Sequence, residues 1–182
     1  ILFVVGVLLS QADVPHIAAY CLLLAIWTRM GHLPFPLELF RADSGRCRGW
    51  LFALLGDLVS PFVALALFLH YRALIAAQIG VLDIGLYVGL ATALAAVLAA
   101  LKVSDVRRSL SLTTAGQMGL VLAFMGMGAE VAAIFLLALH GVAKALARVA
   151  VDGMALAAGG MWRRQDLGLL RRQLPLFSAA FH

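Results

Sequence analysis

The sequence predicts an all-α fold, a polytopic transmembrane helix bundle with one broken helix, and three observations carry that prediction. Of 182 residues, 64% are hydrophobic and only 13% are charged, with a mean hydropathy of +1.01; a soluble domain of this length needs far more polar surface. Apolar stretches able to cross about 30 Å of hydrocarbon recur along the chain. Runs that alternate apolar and polar residues are missing from the sequence, which argues against a barrel.

Residues 1–9 form a first apolar segment too short to cross alone, expected as the end of a longer helix. The chain opens without methionine or a basic leader, so it does not begin like a signal peptide, and a processed or partial chain is expected. Residues 10–16 (Ser-Gln-Ala-Asp-Val-Pro-His) read as a turn, because Pro15 cannot continue a hydrogen-bond ladder. A second apolar segment covers residues 17–30. The prolines at 34 and 36 rule out a regular helix over residues 31–36, and residues 37–49 read as an interfacial connection carrying Arg41, Arg46 and Arg48.

The third segment, residues 50–71, holds Gly56, Asp57 and Pro61. Pro61 removes the donor that would serve the Asp57 carbonyl, so a bend or break is expected there. In a membrane, a break is tolerated chiefly where protein or water satisfies the freed backbone. Residues 79–101 make the clearest span, dense in alanine, leucine and glycine, followed by a polar connection from Lys102 to Arg108. Residues 110–126 and 130–151 complete six segments, and residues 174–181 begin a further apolar stretch.

Basic residues fall on alternate connections: Arg41, Arg46 and Arg48; then Lys102, Arg107 and Arg108; then Arg163, Arg164, Arg171 and Arg172. The opposite side holds little beyond Arg72. This alternation places the basic connections on the cytoplasmic side of the membrane. Tyr20, Trp27, Trp50 and Tyr71 suit interface anchors. The formal charge of +5 is therefore topological, and no nucleic-acid face is implied.

Chemistry concentrates in the sixth segment. Positions 140, 144, 148 and 152 share one helical face, so His140, Lys144, Arg148 and Asp152 form a single ionisable stripe inside an apolar run. Charge inside a membrane is costly and marks ion or proton handling. Lys144 leads as an exchange group, because a desolvated amine gives up its proton more readily than a hydrated one; the alternative is an ion pair that fixes packing. His140, one turn away, can donate and accept, as a relay requires, or can be a satisfied helix-contact histidine. Arg148 and Asp152 read as a structural ion pair. Asp57 is either a relay carboxylate or a cap beyond the break at Pro61.

Other chemistries find no support. Cys21 and Cys47 lack metal or disulfide spacing, and His16, His32, His70, His140 and His182 are too widely spaced for a metal centre. No phosphate-binding glycine loop or nucleophile elbow occurs. No cofactor and no catalytic centre are expected in this chain.

The run Lys102-Val-Ser-Asp-Val-Arg-Arg-Ser-Leu-Ser-Leu-Thr-Thr-Ala-Gly-Gln-Met-Gly119 resembles the antiporter-like membrane subunits of respiratory complex I, multisubunit sodium/proton antiporters, membrane-bound hydrogenases and inorganic-carbon uptake systems. Ala132-Ala-Ile-Phe135, then His140 and Lys144-Ala-Leu146, matches the family's next helix, and Asp166-Leu-Gly-Leu-Leu-Arg-Arg-Gln-Leu-Pro175 the connection after it. Gly31-His-Leu-Pro34 followed by Leu37 is similar to the stretch after the family's central lysine helix. The resemblance makes residues 1–182 a partial antiporter-like transmembrane domain, since the family's glutamate-bearing helix and a later charged helix fall outside it.

It implies a proton-translocating or proton-gating subunit of a complex I-like NADH-quinone oxidoreductase or a related assembly. Other membrane subunits would be partners, together with the lipid bilayer and peripheral redox or zinc-containing subunits; any quinone or NADH chemistry would lie in those subunits. The alternatives are the membrane partner of an inorganic-carbon uptake complex and a non-transporting structural subunit. The resemblance also adds Arg29 and His32 to the proton-transfer candidates. Arg29 stands where the family has its central lysine and holds a proton more firmly, so a helix anchor or a carboxylate partner is its other reading. His32, beside Pro34, either links such groups or satisfies a bent backbone. Two family histidines are replaced here by Leu136 and Leu54.

Overall fold

The computed structural model describes residues 2–11, 14–30 and 50–157, with side chains for all of these except 11, 50–58 and 155–157. Seven helices occupy the described residues: α1 (Leu2–Gln11), α2 (Pro15–Met30), α3 (Trp50–His70), α4 (Arg72–Ala76), α5 (Val81–Lys102), α6 (Val106–Gly126) and α7 (Glu130–Ala157). Three of them, over Val81–Lys102, Val106–Gly126 and Glu130–Met154, are long and apolar enough to cross a membrane. A helix of 22 residues is about 33 Å long, which matches the hydrocarbon thickness. The chain is a multi-pass membrane helix bundle.

Helix ends follow local chemistry. Pro15 opens α2, where its missing N–H costs nothing, and α1 runs to Gln11, so the helices extend into both ends of the segment expected as a turn. Gly80, at φ 81°, allows the left-handed turn that aims the chain into α5. Asp83 in its first turn and Lys102 in its last oppose the helix dipole favourably. Asp105 caps α6 by accepting the N–H of Arg107 at 2.8 Å, so α6 begins at Val106, four residues before the apolar run. Polarity at residues 106–109 marks the edge of the hydrocarbon, not the end of the helix. Asp105→Ala should cost about 1 kcal/mol, read as a lower midpoint of thermal unfolding in detergent; an unchanged midpoint would show the cap to be redundant.

The α6–α7 corner is a Schellman turn. Gly128, at φ 73°, takes the left-handed position, Ala129 N–H donates to Phe124 O at 2.8 Å and Gly128 N–H to Met125 O at 3.0 Å. Pro61 lies inside α3 without ending it, contrary to the break expected there. The interruption falls ten residues later at Tyr71, whose ring packs edge-on against Phe3 and His70, and the short α4 follows. One proline deletes one ladder bond, and an apolar environment enforces all the others.

The antiparallel pair α5 and α6 packs most closely, α7 lies against α6 and α3, and α2 joins α1 to α3. Phe68, Leu22, Ile26, Met118, Leu122 and Leu137 fill the centre. Of the three spanning helices α6 is the most buried, so it is central and α5 and α7 flank it. Their outer faces carry Leu94, Val97 and Leu98 on α5 and Phe135, Val142 and Leu146 on α7, all exposed. Apolar side chains facing outward on spanning helices are what a lipid solvent requires.

Candidate functional site

The site lies on the seam between α6 and α7. The pattern of burial along α7 turns Ala133, Leu137, Gly141, Lys144, Val151 and Met154 inward, a 3.6-residue repeat. Lys144 is the only charged side chain among the fully buried described residues, at 5% exposure. Its Nζ donates to the carbonyl of Leu110 on the facing helix.

That contact sets the depth of the lysine. Leu110 is four residues into α6, about 6 Å from its start, whereas Lys144 is fourteen residues, about 21 Å, from the start of α7. The ammonium therefore stands one turn inside the basic end of α6, with a short way to that surface and a long way to the other. The same carbonyl accepts the hydroxyls of Thr113 at 2.8 Å and Thr114 at 3.0 Å. Thr114 is 3% exposed.

His140 is half-buried one turn before Lys144, within electrostatic reach of it. Its Nε2 is sealed from solvent and has no hydrogen-bond partner among the described residues. Beyond Lys144, Arg148 and Asp152 are half-buried. Asp152 lies within electrostatic range of both Arg148 and Arg107, the latter reaching in from the first turn of α6. At the opposite end of the bundle Arg72 is paired with Glu130, tying α4 to the start of α7.

The structure thus brings His140, Lys144, Arg148 and Asp152 onto one seam. Arg29 is elsewhere, exposed in the last turn of α2; its carbonyl accepts Ser60 Oγ at 3.0 Å, and its guanidinium makes no ion pair with a described residue. His32 lies outside the described residues. Asp57 is placed within α3, but its side chain is not among those described. Among the described residues no cluster of His, Cys, Asp and Glu could hold a metal ion.

Sequence reasoning overlooked the Leu110 carbonyl, Thr114 and the reach of Arg107 toward Asp152. The Thr113-Thr114 pair stood inside the quoted motif, but a cross-helix acceptor is a backbone atom that leaves no trace in residue type. The cluster has a measurable signature: in a double-mutant cycle on thermal stability, Arg148→Ala and Asp152→Ala should couple by about 0.5–1 kcal/mol. Strict additivity would remove the ion-pair reading.

No curated protein matches the chain. Residues 9–182 match the family described as NADH:quinone oxidoreductase/Mrp antiporter, TM. The match spans every element that builds the seam, and the chain with its buried lysine belongs to this antiporter-like family of membrane subunits.

Proposed function

We propose that the chain translocates or gates protons as a membrane subunit of a complex I-like NADH-quinone oxidoreductase or a related ion-translocating assembly. The observation that carries this reading is an ammonium buried to 95% in a membrane-spanning helix, held by a neutral carbonyl. Charge inside a membrane is costly and marks ion or proton handling, and the bond to a backbone carbonyl of the facing helix holds the amine on the seam that also carries His140.

His140 Nε2, which has no hydrogen-bond partner among the described residues, receives the Lys144 proton once the amine has left the Leu110 carbonyl and come within hydrogen-bond reach. The N–H bond at Lys144 Nζ breaks and one forms at His140 Nε2, leaving a neutral amine and an imidazolium. Two cations one turn apart repel strongly where water is scarce, so charging one group favours discharge of the other. Arg148, Arg107 and Asp152 line the shorter way to the basic surface, which faces the cytoplasm of an inner or equivalent energy-transducing membrane. Asp57, Arg29 and His32 supply further charges. Other membrane subunits complete the route, and peripheral subunits provide the driving reaction.

The test is proton uptake by membrane vesicles carrying the intact assembly, with and without Lys144→Ala. Undiminished uptake at normal assembly would overturn the proposal.

A further inference from the structure

The central spanning helix, α6, uses most of its circumference. Gly119 and Ala123 face α5, Met118, Val121 and Leu122 join the core built with α2 and α3, and the Leu110 carbonyl faces α7. One stripe stays open along it: Thr113 is exposed and Gln117, Leu120 and Phe124 are half-buried, recurring every three or four residues as a single helical face does. Gln117 is eleven residues into the 21-residue helix, about 17 Å along a length of about 32 Å, so its amide stands at mid-membrane depth. That amide makes no hydrogen bond to another described residue.

The edge of α7 beside this stripe carries small residues. Arg107 and Asp152 come within electrostatic range on one side of the α6–α7 seam. At about 100° per residue, Thr113 and Gln117 on α6, and His140, Ala143 and Ala147 on α7, are turned a quarter to half a revolution from them, onto the other side. There His140 and Ala147 are half-buried and Ala143 is exposed. The outward face of α7 differs, being large and apolar at Phe135, Val142 and Leu146. Among lipid tails an amide finds nothing to serve its donors and acceptor, whereas alanines four apart let a second helix come close enough to do so.

We propose that this edge of the α6–α7 seam is the docking face for a membrane-spanning helix of a neighbouring subunit, one that carries a hydrogen-bonding side chain level with Gln117. The inference rests on the reading of the chain as one membrane subunit of a larger assembly. Ala143 and Ala147 seat the incoming backbone, and the Gln117 amide, which both donates and accepts, pairs with the incoming side chain. The edge is free to receive it because α2 and α3 pack on the other side of the layer formed by α5, α6 and α7.

The test places the photoreactive residue benzoylphenylalanine at position 143, or at position 142 as the outward-facing control, in the intact assembly in native membranes, and identifies the joined products by mass spectrometry. Position 143 should join a membrane-spanning peptide of another polypeptide that has a polar residue within one turn of the joined site, and position 142 should join lipid. Lipid alone at 143, a peptide of a second copy, a peptide of this chain, or the same product from both positions overturns the proposal. Gln117→Met, of similar length but without the amide, reads the same face without a bulky probe and decides the matter if the position 143 variant does not assemble. Retention of the neighbouring subunit through a detergent titration should fall about threefold, the equivalent of an average interhelical hydrogen bond in a membrane, and Val142→Met should leave it unchanged; equal retention by the two variants overturns the proposal. A chain that purifies with no other membrane polypeptide defeats the assembly reading itself, whereas a stable assembly in which position 143 meets only lipid defeats the docking face alone.

Discussion

Lys144→Ala should lower proton flux through this chain about a hundredfold, the low end of what a positioned proton-transfer group supplies, while assembly of the complex changes little. The two halves of that expectation have separate causes. Flux falls because, in the role proposed for it, Lys144 is the exchangeable group between His140 and the basic surface. Assembly survives because the amine is costly to bury, and because the Leu110 carbonyl it leaves still has Thr113 and Thr114 as donors. Lys144→Arg sharpens the test. Arginine keeps the charge and the hydrogen bond but retains its proton at any physiological pH, so it should assemble and remain nearly as inactive as alanine. An active arginine variant would mean that a fixed positive charge suffices and that no proton passes through position 144.

The second large effect is on stability and lies on the α5–α6 seam. A Cβ built on Gly89 would stand 2.5 Å from the carbonyl oxygen of Gly119 and 2.6 Å from the nitrogen of Ala123; one on Gly119 would stand 2.7 Å from the oxygen of Gly89 and 2.8 Å from the nitrogen of Ala93. Every one of these neighbours is backbone, so no rotamer change relieves the clash. The helices must separate, forfeiting the close approach that stands in for hydrophobic driving force inside a bilayer. Gly89→Ala is therefore expected to cost about 1–3 kcal/mol, and Gly89→Leu to prevent accumulation of folded protein. Gly116 on the same seam is the control, because a Cβ there meets Ala93 O and Ala96 Cβ at an ordinary 3.6 Å, and Gly116→Ala should be neutral. Thermal unfolding in detergent reads the two alanine variants and the yield of folded protein reads Gly89→Leu; equal midpoints for Gly89→Ala and Gly116→Ala would refute the seam argument.

These glycines show where residue patterns stop being informative. Gly85, Gly89, Gly116, Gly119 and Gly126 look alike in the sequence, yet only 89, 119 and 126 meet backbone closely enough to forbid a side chain. Spacing suggests a small-residue face, but the distance between helices is a property of the pair. The ends of α6 and α7 teach a related lesson. Both run past their apolar segments, to Val106 and to Ala157, because hydropathy reports the depth of the bilayer and capping reports the helix.

Composition and apolar periodicity alone determined that this chain is a bundle of membrane-spanning helices, and helical spacing alone placed His140, Lys144, Arg148 and Asp152 on one stripe, because both depend on interactions within a single segment. Tertiary structure decided the rest: that α3 runs on through Pro61, that α6 is the central helix, that Lys144 docks on the Leu110 carbonyl one turn from the basic end, and that Thr114 shares that acceptor. Each of these depends on which turn of one helix lies against which turn of another, and a backbone carbonyl offered across such a seam is the same atom in every residue.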